Sequence, residues 1–143
     1  MYANAGDGLL ASAADKQKKA LKHFKFFLIG YNVEGLDDPE TIPYEGVPAQ
    51  EGSDDIFKFW DRLIGSFVTY IGRDARGECN PKKGKLSFRT SDGYLSAVKM
   101  YFCNKWRLKP EIPVFGKQQW AKLRVKLKGL VGEVNRGKGY KAP

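Results

Sequence analysis

The stretch "FWDRLIGSFVTYIG", Phe59 to Gly72, decides the fold. Trp60, Leu63, Ile64, Phe67 and Ile71 recur at intervals of three and four residues, the period of one face of a helix. Ile56 extends the stripe upstream. Ser53 reads as the start of this helix, with Asp54 and Asp55 in the first turn, where the helix dipole favours acids. The pattern stops between Gly72 and Gly77.

Working outward, three further stretches carry the same period. Upstream, Asp15 is a plausible N-cap, and Leu21, Phe24, Leu28 and Tyr31 share one apolar face. Lys18, Lys22 and Lys25 gather on the neighbouring ridge, and Gly30 and Asn32 lie near the helix exit. Downstream, "LSFRTSDGYLSAVKMYF" (Leu86–Phe102) reads as a helix capped by Thr90 or Ser91, with Leu95, Val98 and Phe102 aligned. Pro110 and Pro113 punctuate a connector. A last helix begins near Gly116 or Lys117 and buries Trp120, Leu123, Leu127, Leu130, Val131 and Val134. No stretch alternates as a strand does, and no internal repeat is present.

Four amphipathic helices must cover one another's stripes, so the expected fold is all-α, a compact bundle of four main helices over residues 15–135. Trp60, Phe67, Phe102 and Trp120 belong to its core on this reading. Residues 1–14 read as a flexible tail, and residues 136–143 as a basic, glycine-rich linker. Residues 32–53 hold three prolines, three glycines and an excess of acids, which argues against a regular element. A loop of that length inside a compact domain is functional or mobile, and its charge makes it a poor surface for phosphates.

The composition narrows the chemistry. With 143 residues, 42% hydrophobic and 13% aromatic, the chain can build one real core. No apolar run approaches the roughly 20 residues that cross a bilayer, so no membrane partner is expected. The start of the chain is too polar for a secretory signal. Two cysteines, Cys79 and Cys103, and the single His23 are too few for a zinc site. They fit free thiols in a reducing, intracellular setting, nuclear if the source is eukaryotic. A lone histidine without a nucleophile elbow excludes an acyl-transfer triad, and no phosphate-binding glycine loop follows a strand. The acid pairs Asp37/Asp38 and Asp54/Asp55 sit in a loop and at a helix start, where acids are ordinary. No catalytic residue, metal or cofactor is expected, and nothing points to an enzyme.

Charge points elsewhere. The net charge is +9, but residues 1–78 hold 9 Lys/Arg against 13 Asp/Glu, while residues 79–143 hold 16 against 3. An excess concentrated in one half implies a field aimed at a polyanion. The densest part is "KKGKLSFRTS". Lys82, Lys83, Lys85 and Arg89 supply attraction, Ser87, Thr90 and Ser91 supply hydroxyl donors, and a helix start supplies unpaired amides that accept phosphate. On residue types alone, a phosphate clamp and a simple capped helix behind a solvated loop are equally consistent with this stretch.

The order of these pieces resembles the N-terminal core-binding domain of tyrosine recombinases, the phage-integrase-like, SAM-like helical domain. "ALKHFKFFLIGYN" is similar to that family's opening helix and "FWDRLIGSFVTYIG" to its second. Ser87, Thr90, Tyr94, Leu95, Ser96, Ala97, Val98 and Lys99 match its turn-plus-helix motif, the most specific part of the likeness. The tail "RGKGYKAP" looks like the linker into the family's catalytic domain, and the eukaryotic Crypton-type branch of mobile elements is the nearer one. The long acidic loop departs from the family's short connection.

The resemblance implies a module that grips double-stranded DNA for recombination or integration, without the catalytic half, so that Tyr94, Tyr101 and Tyr140 are not nucleophiles. It implies DNA contacts from Ser87, Arg89 and Thr90, then Lys99. Lys18, Lys22 and Lys25 would face the same groove. Lys117, Lys122, Lys126, Arg136, Lys138 and Lys141 complete the candidate set. A downstream catalytic domain or other recombinase protomers would be its protein partners. Two other readings stay open: a helical protein-interaction domain using the acidic 32–53 loop, and an RNA-binding module, for which the aromatics offer no obvious exposed stacking platform.

Overall fold

A computed structural model describes residues 3–47 and 57–137, with side chains placed over 13–47 and 57–132. The fold is all-α, a bundle of four helices: α1 (Ala3–Gly30), α2 (Lys58–Thr69), α3 (Phe88–Lys105) and α4 (Lys117–Gly137). Among the described residues there is no strand, only a single antiparallel bridge between Arg76 and Lys85. No described helix is long and apolar enough to cross a membrane.

Three helix starts differ from expectation. α1 begins at Ala3, so it runs through residues assigned to a flexible tail. Asp15 lies inside that helix and pairs with Lys19 one turn on, at 3.4 Å, which is what a carboxylate four residues before a lysine does on a helix. α2 begins at Lys58, with Phe57 before it and no side-chain cap; Ser53, Asp54, Asp55 and Ile56 lie outside the described residues. α3 is capped by Ser87, whose Oγ accepts from the Thr90 amide at 3.2 Å, not by Thr90 or Ser91. Either hydroxyl further along fits the composition, but only Ser87 has the extended backbone an N-cap needs.

Helix ends follow from local chemistry. Asn32, at φ +51°, stops α1 in the left-handed conformation. The Val33 amide then reaches back to Leu28 O at 3.1 Å and the Asn32 amide to Ile29 O at 3.2 Å. This is a Schellman closure with asparagine in the glycine position. α2 ends in one widened π turn, Tyr70–Asp74, closed by the Ala75 amide on Tyr70 O. Gly72 in that turn is buried, and a Cβ there would sit 3.0 Å from Leu127 and Leu130, so its lack of a side chain lets α2 and α4 approach.

Most of each expected stripe is core, but Leu21 is only half-buried and lines a surface depression, and the Val134 side chain lies outside the described residues. Trp60, Leu63, Ile64, Phe67 and Ile71 are buried, as are Leu95, Val98 and Phe102, and Trp120, Leu127 and Val131. Leu123 and Leu130 pack partly buried against them. On α1 the buried face is Ala20, His23, Phe24, Phe27 and Leu28; Tyr31 stands beyond the helix, 40% exposed, with its hydroxyl donating to Asp74. Trp60 is the hub. It meets Phe59, Phe102, Trp106 and Phe115 with ring centroids 4.9–5.9 Å apart.

The acidic connection is packed as far as residue 47. Its Asp38 side chain caps a single 3-10 turn, Pro39–Thr41, a regular element where none was expected. Pro39 and Ile42 are buried. Trp60 Nε1 donates to Tyr44 O at 2.8 Å, Tyr44 Oη to Pro110 O at 2.7 Å, and Lys105 Nζ to Glu40 O at 2.7 Å. Gly46 (φ +73°) lies so close to α2 that a Cβ would overlap the Phe59 ring. Gly46→Ala therefore combines overpacking with a backbone alanine disfavours, and is expected to cost about 1–3 kcal/mol. The midpoint and slope of urea unfolding measure it.

Candidate nucleic-acid interface

The segment before α3 is a closed basic hairpin. The Gly77 amide bonds to Gly84 O at 3.1 Å, and the turn is tied by Lys83 N to Asn80 O and Lys82 N to Asn80 Oδ1, both at 2.9 Å. Asparagine and proline at its tip favour that turn. Lys82 and Lys83 are exposed on it. Arg76 and Lys85, paired across the hairpin, instead bury side-chain nitrogens, Arg76 Nη1 and Lys85 Nζ. Lys85 therefore drops out of the surface set.

The hairpin leads directly into the α3 cap. Ser87, Arg89 and Thr90 are exposed. The Ser87 hydroxyl donates to Thr90 Oγ1 at 3.1 Å, so these two side chains hold the cap. The amides of Phe88 and Arg89 have no acceptor inside the helix. Ser91 is fully buried and its Oγ donates to Ile71 O at 3.4 Å, so it ties α3 to the end of α2 and reaches no ligand.

Two cations that the sequence did not single out join this end of α3. Lys16 of α1 lies over Gly93, its Nζ 2.7 Å from where a Cβ would be. Arg124 of α4 grips Asp92 in a fork, Nε to Oδ1 at 2.7 Å and Nη2 to Oδ2 at 3.0 Å. Gly93 and Asp92 are four and three residues beyond Arg89, so Arg89 stands between the two on one helical face. Neither placement is readable from helical spacing, because both contacts join different helices.

The remaining candidates are dispersed. Lys99 places its Nζ 4.8 Å above the Trp120 ring, a cation–π contact inside the α3–α4 seam. Lys126 donates to Gly65 O at 3.1 Å on the α2 side. Lys117 and Lys122 are exposed on α4, with Lys117 seven residues before Arg124 and so on its ridge. Lys18, Lys22 and Lys25 do not share a groove with α3's start; they line a depression whose far wall is Asp38, Pro39, Glu40 and Tyr101. Arg136 falls within α4, and Lys138 and Lys141 lie outside the described residues.

The fold also makes a pair that spacing along the chain could not reveal. Cys79 Sγ lies 3.4 Å from His23 Nδ1, 56 residues away, and the imidazole packs tilted against Tyr94, ring centroids 5.0 Å apart. Burial lowers the His23 pKa, helped by Lys22, and burial raises that of Cys79. Both groups are thus held neutral at pH 7, and the pair fastens the hairpin to α1 rather than forming an activated thiolate. Among the described residues no group of three metal-ligating side chains occurs.

A pH dependence follows. The unfolded chain protonates His23 near its ordinary value of 6.5 while the folded chain resists. The stability this neutral ring contributes is present above pH 6.5 and is lost as pH falls through the lower folded value. Urea midpoints measured from pH 7.5 to 5 should decline, and His23→Gln should flatten that decline.

The chain matches no protein-family model, no curated protein and no solved structure.

Proposed function

We propose that this chain is a duplex-DNA-binding module, of the kind its resemblance to the recombinase core-binding domain implies, acting without catalytic residues of its own. The observation that carries this reading is the cluster at the open end of α3: the hairpin tip Lys82 and Lys83, the cap residues with Arg89, and Lys16 and Arg124 on either side. Three separate helices and a hairpin contribute cations to one edge, against two acids, Asp92, which is held by Arg124, and the exposed Glu78 of the hairpin. Free helix-start amides and flexible lysines suit phosphate oxygens, and they fix position rather than sequence.

Arg89 is the central member. Arg89→Ala is expected to weaken duplex binding in a gel shift by roughly ten- to a hundredfold, the effect of one charge-assisted phosphate contact. Thermal unfolding should not move, since surface substitutions usually change stability by less than about 0.5 kcal/mol. Unchanged DNA affinity in that variant would remove Arg89 from the interface and the reading with it. Competition with single-stranded RNA separates duplex recognition from the RNA alternative.

A further inference from the structure

The depression lined by Lys18, Lys22 and Lys25 has a composition that phosphate backbone alone does not explain. It encloses about 520 Å³, within the range of about 300–1,000 Å³ usual for small-ligand sites. Leu21 and Pro39 give it an apolar floor, and the half-buried ring of Tyr101 lies between this depression and an adjoining one that ends at Asn104 and Lys105. Tyr101 thus borders both depressions, with Lys105 Nζ 5.9 Å from its ring centroid on one face.

The charges within it are not alike in their commitments. Asp15 is paired with Lys19. The Asp38 side chain accepts the Glu40 amide at 3.0 Å. Lys18, Lys22 and Lys25 have no acidic partner among the described residues, and neither does the Glu40 carboxylate a cation. Lysines at positions 18, 22 and 25 fall on one ridge spanning about 10 Å of helix, the reach of a short phosphate chain. One side of the groove therefore calls for an extended anion, the middle for a flat ring, and the far wall for a hydrogen-bond donor.

We propose that this groove binds an adenine nucleoside triphosphate: the purine lies against Tyr101, its exocyclic amine donates to the Glu40 carboxylate, and the phosphates meet Lys18, Lys22 and Lys25. A plain polyanion would meet the lysines but gain nothing from Tyr101 or Glu40. A uracil nucleotide presents a carbonyl where the amine should be. The inference is independent of the DNA reading, because the groove and the α3 edge use different residues.

The test titrates ATP carrying a fluorescent ribose label into the full chain and follows anisotropy. Saturable binding with Kd below about 1 mM is expected, with unlabelled ATP displacing the probe far better than UTP or inorganic tripolyphosphate. Tyr101→Ala should weaken binding roughly 5- to 100-fold, the effect of losing one base–aromatic stack, while Tyr101→Phe retains it. Lys18→Ala with Lys22→Ala should weaken it without touching the aromatic floor, which keeps the test decisive if Tyr101→Ala fails to fold. Replacing Lys82, Lys83 and Arg89 with alanine should leave nucleotide affinity unchanged. No saturable binding, equal displacement by tripolyphosphate, or loss of binding in the Lys82/Lys83/Arg89 variant would each overturn the proposal.

Discussion

Trp60→Ala is expected to lower the unfolding free energy by about 3–5 kcal/mol, the range for deleting a large aromatic from a packed core. Trp60 is fully buried and sits where α2, α3 and the connectors meet. Its ring is bordered edge-on by Phe59, Phe102 and Trp106 and tilted against Phe115. Truncation leaves those rings facing a void they cannot close together, because they come from three different segments. It also strands the Tyr44 carbonyl, which accepts the indole N–H. Trp60→Phe separates the two effects: it keeps most of the volume and loses the hydrogen bond, and should cost about 1–3 kcal/mol. Urea unfolding followed by far-UV circular dichroism measures both. A loss under 1 kcal/mol for the alanine variant would mean that the aromatic hub is not where the fold is held.

The second large effect is ionic. If the edge around α3 neutralises four to six phosphates, log Kobs should fall against log salt with a slope of about −4 to −5. Between 50 and 200 mM salt the affinity for a duplex then drops roughly a hundred- to a thousandfold. Replacing Lys82, Lys83 and Arg89 with alanine should flatten the slope by about 3, close to one per phosphate contact removed. A wild-type slope near zero would reject phosphate-driven binding outright. A steep slope that the triple variant leaves intact would move the interface to another part of the basic surface, away from the hairpin and the α3 cap.

The stripes on α2, α3 and α4 were legible because burial on one helical face imposes a period, and that period survives in the sequence. The all-α fold follows from it. What the sequence concealed was long-range. Ser91 looks like its hydroxyl neighbours, yet a one-residue step around α3 turns it from solvent into the seam with Ile71. Lys99 reads as a free cation until Trp120 comes under it. Lys16 and Arg124 carry no local signature, and their value lies in the helix each one reaches. The α3 cap is hidden for a different reason: Ser87, Thr90 and Ser91 have similar chemistry, and backbone geometry alone chooses among them. Proline and glycine counts in the acidic connection register the lack of long helices but not the buried Ile42 and Pro39.

That connection carries a kinetic consequence. Tyr44 closes on Pro110 across 66 residues and Glu40 on Lys105 across 65, and between α2 and α4 Gly65 closes on Lys126 across 61. Simple helical hairpins assemble from neighbours, but these closures demand that distant parts of the chain meet before they return any energy. Loop-closure entropy must be overcome first. The chain therefore has the helix content of a microsecond folder and the wiring of a slower one, with refolding nearer milliseconds than the roughly microsecond limit for its length.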